Sequence, residues 1–265
     1  MSTLFRFGIL GLLLVVVDNR LIPVPSTKQR IAVATLLVSA NQVVSIDELA
    51  EVVWDGRPPV SAASTLRTYF ARVRRLLGPE AGARIVAHAP GYRLIVAPDE
   101  LDVLDFADKH QQARRAAAAG QWAQCRDATA AAVALWRGDP LCDVPAPALH
   151  ARVAHVLAER HLQVVELDMR AQVELGQPEQ VVGELANLVV LHPLREHLVE
   201  LAMVALYRCG RQAEAVELFR ITRRLLVHEL AVEPGIALQT LHQRMLAADK
   251  IWLHDLARQD PRDTP

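Results

Sequence analysis

Residues 61 to 77, Ser-Ala-Ala-Ser-Thr-Leu-Arg-Thr-Tyr-Phe-Ala-Arg-Val-Arg-Arg-Leu-Leu, sort their side chains cleanly in only one regular conformation. Wound as an α-helix at about 100° per residue, Leu66, Phe70, Val73 and Leu77 share one side, and Arg67, Arg72, Arg74 and Arg75 take the rest of the circumference. Such a helix docks its apolar side on a small core and leaves its guanidinium groups in solvent. Arginine carries a rigid fork of donors that fits guanine edges and phosphates. A nucleic-acid duplex is therefore one partner for this face, and a plain solvated helix is the other reading that the segment alone allows.

The flanking sequence narrows the choice. Phe5 to Val17 reads as one strand, a turn follows at Asp18-Asn19, and Leu21 to Val24 reads as a second strand that Pro23 confines to an edge. Ser26 and Thr27 carry hydroxyls able to cap a helix from about Lys28 to Ser39, and Ser45-Ile46-Asp47-Glu48 is a capping box opening a second helix to about Trp54. Asp55-Gly56-Arg57-Pro58-Pro59 breaks that helix. The arginine helix, capped by Ser61, ends at Gly78-Pro79, and two short β-prone stretches, Arg84 to Ala87 and Tyr92 to Val96, flank a hairpin tip at His88-Ala89-Pro90-Gly91. Sheet, three helices and terminal hairpin, in that order, make a winged helix-turn-helix whose third helix enters the major groove. Winged helices also serve as protein docking modules, and that reading stays open.

From Asp102 onward the chain becomes alanine-rich, with apolar residues at helical spacing. Gly176 and Gly210 stand 34 residues apart, a tetratricopeptide period, and a weaker copy begins at Gly120-Gln121-Trp122. An ordinary helical bundle would also give part of this pattern. The fold class expected is thus mainly α with a small β part: a DNA-binding winged helix over residues 1–97, a helical domain over 98–252 and a flexible tail over 253–265. Charge follows the same division, since residues 1–97 carry a net charge of +5 and the remainder −6. A positive domain suits nucleic acid and a negative one suits protein partners.

Catalytic signatures are missing from the sequence: it has no glycine-rich phosphate loop, no Gly-x-Ser-x-Gly and no His-Glu-x-x-His. Cys125, Cys142 and Cys209 form neither a disulfide framework nor a zinc motif, and His150, His155 and His161 are spaced too irregularly to face one metal. We therefore expect no enzyme, cofactor or metal. Trp54, Trp122, Trp136 and Trp252 read as core anchors. The apolar run Gly8 to Val17 lacks a cleavage site and is too short to cross a bilayer, so a buried strand in a cytoplasmic protein is expected rather than an export signal or a membrane partner.

Over nearly its full length the chain resembles the Streptomyces antibiotic regulatory protein family of transcriptional activators. The first half carries the resemblance in Thr27-Lys28-Gln29-Arg30, Val44-Ser45-Ile46-Asp47-Glu48-Leu49, Leu66-Arg67-Thr68-Tyr69, Arg72-Val73-Arg74-Arg75-Leu76-Leu77 and Pro90-Gly91-Tyr92-Arg93-Leu94. The second half carries it in Leu135-Trp136-Arg137-Gly138-Asp139-Pro140-Leu141, His192-Pro193-Leu194-Arg195-Glu196, Gly210-Arg211-Gln212-Ala213-Glu214-Ala215 and Leu230-Ala231-Val232-Glu233-Pro234-Gly235.

The resemblance implies an OmpR-type winged helix followed by a tetratricopeptide-like bacterial transcriptional activation domain. It implies binding of direct-repeat double-stranded DNA by paired copies, recruitment of RNA polymerase, and activation of a secondary-metabolite gene cluster of the antibiotic type. By position, Thr68, Arg72 and Arg74 look like major-groove readers, Arg67 and Arg75 like phosphate contacts, and Arg93 like a wing residue; Ser64 adds a hydroxyl. Asp55, Gly56, Arg57 and Pro58 look like a polymerase-contact loop that runs on to Val60. Three departures stand out. Leu12 to Val17 is apolar on both sides, which suggests that its outer face packs on the helical domain or a second copy. Ala231 replaces the usual glycine after Leu230, and His88-Ala89 is a neutral wing tip. A protein-interaction adaptor, working through the helical repeat, is the alternative function.

Overall fold

The computed structural model describes residues 4–247, and the expected tail and Trp252 lie outside them. The described residues divide into two compact units, one of residues 4–112 and 130–164, the other of 113–129 and 165–247. This packing boundary does not follow the sequence boundary at residue 97, because residues 98–112 and 130–164 complete the core of the first unit.

In the first unit β1 (Phe5–Gly8), β2 (Leu14–Val17) and β3 (Arg20–Leu21) form an antiparallel sheet in that order, with Phe5 opposite Val17 and Phe7 opposite Val15. The single strand expected over Phe5 to Val17 is therefore two strands, and the expected second strand shrinks to two residues. The physical reason lies in the bend between β1 and β2. The amide groups of Ile9 and Leu10 donate to the Asp102 carboxylate at 2.9 to 3.0 Å, and Arg137 pairs with the same carboxylate at 2.6 Å and donates to the Leu12 carbonyl. The Leu141 amide donates to Ile9 and Gly11 carbonyls, and the Leu13 amide to Asp143. Backbone groups that a longer strand would have spent on a neighbour are satisfied here by the helical segment. Leu10 is fully buried against Phe106, Ala132 and Val153. The burial falls on Leu10, just before the stretch expected to pack, whereas within Leu12 to Val17 Leu12 is exposed and Leu14 and Val16 are half-buried.

Helices α1 (Thr27–Val38), α2 (Ile46–Val53) and α3 (Ala62–Ala83) follow. Ser45 caps α2 as expected, its Oγ accepting from the Glu48 amide at 3.0 Å. The other two expected caps are not made: neither Ser26 nor Ser61 holds a helix amide through its side chain. Ser61 has φ −82° and ψ 8°, which departs from the extended conformation of a capping residue. Helical geometry in α3 breaks at Gly78, where φ is 81°. Strands β5 (Ile85–His88) and β6 (Gly91–Leu94) form the terminal hairpin, and a short strand that the sequence reading missed, β4 (Val44–Ser45), joins β6 on its other side. Three tryptophans are half-buried rather than central: Trp54 lies under Lys28 and Trp136 packs on Phe106 and His161 in this unit, and Trp122 lies under Arg170 in the second.

The helices of the C-terminal part are α4 (Asp102–Ala118), α5 (Trp122–Val133), α6 (Pro147–Glu174), α7 (Pro178–Leu191), α8 (Glu196–Arg208), α9 (Gln212–Leu230) and α10 (Ile236–Ala247). Within the second unit one turn occurs three times. Gly120, Gly176 and Gly210 have φ of 69°, 74° and 74°, and a new helix starts two residues after each. The amides of Gln121, Gln177 and Arg211 donate to the carbonyls of Ala116, Gln172 and Leu206, five residues back, all at 2.9 Å. That is a Schellman closure, which glycine takes without strain. The glycine period of the sequence is therefore a repeated helix-turn-helix of tetratricopeptide type. Between α7, α8 and α9 runs an open groove of about 540 Å³, lined by Val182, Ala186, Val189, Leu218, Ile221 and Leu225 among others.

Ala231 ends α9 in the left-handed region, at φ 54° and ψ 33°. The turn therefore has the conformation that a glycine would give, at the cost of a strained Cβ. Ala231→Gly is expected to raise stability by about 0.5–1 kcal/mol in urea denaturation; a loss would contradict the assignment. In the first unit, Asp102→Ala strips the bend of its acceptor and leaves Arg137 unpaired. It is expected to cost about 2–4 kcal/mol in the same measurement, and a change below about 0.5 kcal/mol would show that the bend does not depend on this carboxylate.

Candidate nucleic-acid interface

Helix α3 is seated by Leu66, Phe70 and Val73, all fully buried, and by Leu77. Seating that side turns the opposite one outward. Ser64, Arg67, Thr68, Ala71, Arg72 and Arg75 are all exposed, and their spacing of three or four residues makes one continuous strip. From Ser64 to Arg75 the strip is about 16 Å long at 1.5 Å per residue. The two hydroxyls donate back to the helix, Ser64 to the Ser61 carbonyl at 2.9 Å and Thr68 to the Ser64 carbonyl at 3.2 Å. Their lone pairs stay available to an incoming donor.

Among the described residues no carboxylate pairs with Arg67, Arg72 or Arg75. Helix α9 is the informative contrast, because it too carries a run of arginines. Arg211 pairs with Glu214 at 2.7 Å, Arg220 and Arg224 with Glu217 at 3.5 and 3.3 Å, and Arg223 with Glu233 at 2.7 Å. The exposed carboxylates of Glu214 and Glu233 are held below the usual range chiefly by their hydrogen bonds from Arg211 and Arg223. Charge on α9 is neutralised within the molecule, and charge on the α3 strip is not.

Arg74 departs from the expectation that all four arginines point outward. It is half-buried, and its Nε and Nη2 donate to the Ile85 carbonyl at 2.9 and 2.6 Å. Its guanidinium carbon lies 5.7 Å from the centre of the Tyr92 ring. At about 100° per residue Arg74 is about 80° from Leu66, on the flank nearer the apolar side, whereas Arg72 is about 120° away and Arg75 about 180°. That angle alone does not separate Arg74 from the exposed Arg67, about 100° from Leu66 on the same flank; the passing strand β5 does.

The hairpin stands beside α3. Gly91 lets β6 come against β4, since a Cβ there would lie 1.8 Å from the Val44 carbonyl oxygen. The Pro90 carbonyl accepts from the Ile46 amide, which ties the tip to the start of α2. His88, Ala89 and Pro90 are exposed, while Arg93 is half-buried with its Nε buried and unpartnered. The structure therefore brings Ser64, Arg67, Thr68, Arg72 and Arg75 together on one strip, sets Arg74 against the hairpin, and leaves Arg93 half-buried on β6. Residues Asp55, Gly56, Arg57 and Pro58 form an exposed loop that ends at the fully exposed Val60. Its base is fixed by Trp54, which stacks on Tyr69 at 6.2 Å and lies under the Lys28 ammonium at 4.9 Å.

Known proteins with this architecture were found by sequence and by structure. A family model described as "Bacterial transcriptional activator domain" matches residues 101–246. The chain is 38% identical over 250 residues to the Regulatory protein AfsR of Streptomyces coelicolor, covering 94% of this chain and 25% of that one. It is 35% identical over 230 residues to the Regulatory protein DnrI of Streptomyces peucetius, covering 84% and 85%. It thus spans about a quarter of AfsR and most of DnrI. The solved structure "Mycobacterium tuberculosis EmbR in complex with low affinity phosphopeptide" superposes with a TM-score of 0.86 at 29% identity, over 93% of this chain and 66% of that one.

Replacing Gly91 by alanine is expected to part β6 from β4, releasing the hairpin while α1 to α3 stay folded. Hydrogen exchange measured peptide by peptide should then quicken over residues 85–94 and not over α3. Unchanged exchange in the hairpin would show that the close approach is dispensable.

Proposed function

Since the chain belongs to the Streptomyces antibiotic regulatory protein family of transcriptional activators, we propose that it is a sequence-specific DNA-binding activator, with the α3 strip as its reading surface. The observation that carries this reading is the unneutralised set Arg67, Arg72 and Arg75, on a helix whose other side is fully committed to the core. Residues 1–97 bind double-stranded DNA: Arg72 and Thr68 meet base edges in the major groove, and Arg67 and Arg75 meet phosphates. Arg93, half-buried on β6 beside the hairpin tip, reaches the minor groove or its phosphates.

The further steps rest on the family. Two copies lie side by side on direct repeats, each strengthening the other through effective concentration. The exposed loop Asp55 to Val60 faces RNA polymerase, and residues 98–252 support pairing and partner contacts. Genes for a secondary metabolite of the antibiotic type are the target. The site of action is the cytoplasm; no helix among the described residues is long and apolar enough to cross a membrane. The family regulates transcription and the relatives are named as regulators, so no catalytic step is assigned.

The test is selection of duplexes from a randomised pool by the full chain, followed by affinity measurements on the selected sequence. Arg72→Ala is expected to cost about 1–3 kcal/mol and to relax the preference at the base pair it reads. Arg224→Ala on α9, already neutralised by Glu217, is the control and is expected to leave affinity unchanged. If the wild-type chain enriches no sequence, or Arg72→Ala binds like wild type, the reading fails.

A further inference from the structure

Arg74 is the one member of the arginine set whose guanidinium is already spent inside the protein. Two of its nitrogens converge on a single backbone oxygen, that of Ile85, the first residue of β5. A charged donor pair on a carbonyl is among the stronger hydrogen-bond arrangements. The plane is also covered: Tyr92 of β6 lies 5.7 Å away, and the Tyr92 ring packs in turn on Phe70 of α3 at 4.2 Å. Ala87 and Tyr92 are opposite each other in the hairpin, and Ile85 pairs with Leu94. One side chain thus touches both hairpin strands from the helix, through β5 by hydrogen bonds and through β6 by its ring. The main chain of Arg74 is also met by the last helical residues of α3, where a Cβ on Gly82 would lie 2.5 Å from the Arg74 carbonyl oxygen.

We infer that Arg74 is a positioning residue that fixes the wing against the recognition helix, and that it sets the angle between the two parts that meet DNA rather than reading a base. The inference rests on the DNA-binding reading above for its consequence, and on the geometry alone for the coupling. A duplex presents its major groove and the adjoining backbone in fixed relation. A wing held at one angle to α3 therefore arrives with its ordering already complete, whereas a loose wing must be ordered on binding. Lysine cannot replace arginine here, because its single nitrogen has no planar fork to straddle the carbonyl and no flat face for Tyr92.

Two measurements on the full chain separate this role from the alternatives. In hydrogen exchange without DNA, Arg74→Ala is expected to quicken exchange of residues 85–94 by about tenfold, the loss of one charge-assisted bond. Helices α1 and α2 should be unaffected, and Arg74→Lys should recover little. Hairpin exchange that is unchanged, or unfolding of the whole first unit, overturns the coupling whether or not the protein binds DNA. In binding to selected duplexes, Arg74→Ala is expected to weaken every sequence by about the same factor of ten, with base preference intact and hydroxyl-radical protection lost on the wing side. Relaxed preference at one base pair with wing protection retained would make Arg74 a reader and overturn the proposal. Absence of binding by the wild-type chain would remove the functional reading and leave the exchange result to decide the coupling.

Discussion

Everything in the first unit is organised around the carboxylate of Asp102, whose oxygens take the amide protons of Ile9 and Leu10 and the guanidinium of Arg137. The run from Ile9 to Leu13 is apolar on both sides and would otherwise extend as a strand with one face in water. The carboxylate stops it, bends it and lets β2 return beside β1. Leu66, Phe70 and Val73 of α3 and Phe5, Phe7 and Val15 of the small sheet belong to one buried core. The exposed strip of α3 is the geometric remainder of that packing. A winged helix ending near residue 97 would lack Asp102, Arg137 and Leu141, so the bend between β1 and β2 depends on the helical segment.

Two arginine-rich helices of one chain show why charge counts are poor guides to binding. On α9 and its cap, each of Arg211, Arg220, Arg223 and Arg224 has a carboxylate in reach, and exposed pairs of that kind contribute little to stability and leave little field outside. On α3 the strip arginines have no such neighbours, and residues 1–97 carry a net charge of +5 in a chain whose net charge is −1. A polyanion gains most where the protein has not already neutralised itself.

The parts of the fold that were legible in the sequence are those fixed locally. The cap at Ser45, of whose expected box only the Ser45 half is made because Glu48 pairs with Arg152, the apolar stripe of α3 and the glycine turns at Gly120, Gly176 and Gly210 each rest on residues within one or two helical turns. What was not legible depends on partners far along the chain. The split of Phe5 to Val17 into two strands is set by residues more than 90 positions away, and β4, two residues long, exists only because β6 lies beside it. Arg74 belongs to the same class: its identity as arginine was visible, but its direction depends on where β5 runs. In the left-handed turn at Ala231 the local signal was misleading, since the tertiary structure imposes a conformation that alanine itself disfavours.

The central claim is that unneutralised guanidinium groups on one helix bind a polyanion, and salt dependence tests it most directly. Binding of the full chain to a selected duplex, followed by fluorescence anisotropy across a salt series, is expected to give a slope of log K against log[salt] of about −4 to −5, and the Arg67→Ala, Arg72→Ala, Arg75→Ala triple variant, which lacks two phosphate contacts, a slope of about −2 to −3. A wild-type affinity indifferent to salt, or a triple variant with the wild-type slope, would contradict the account.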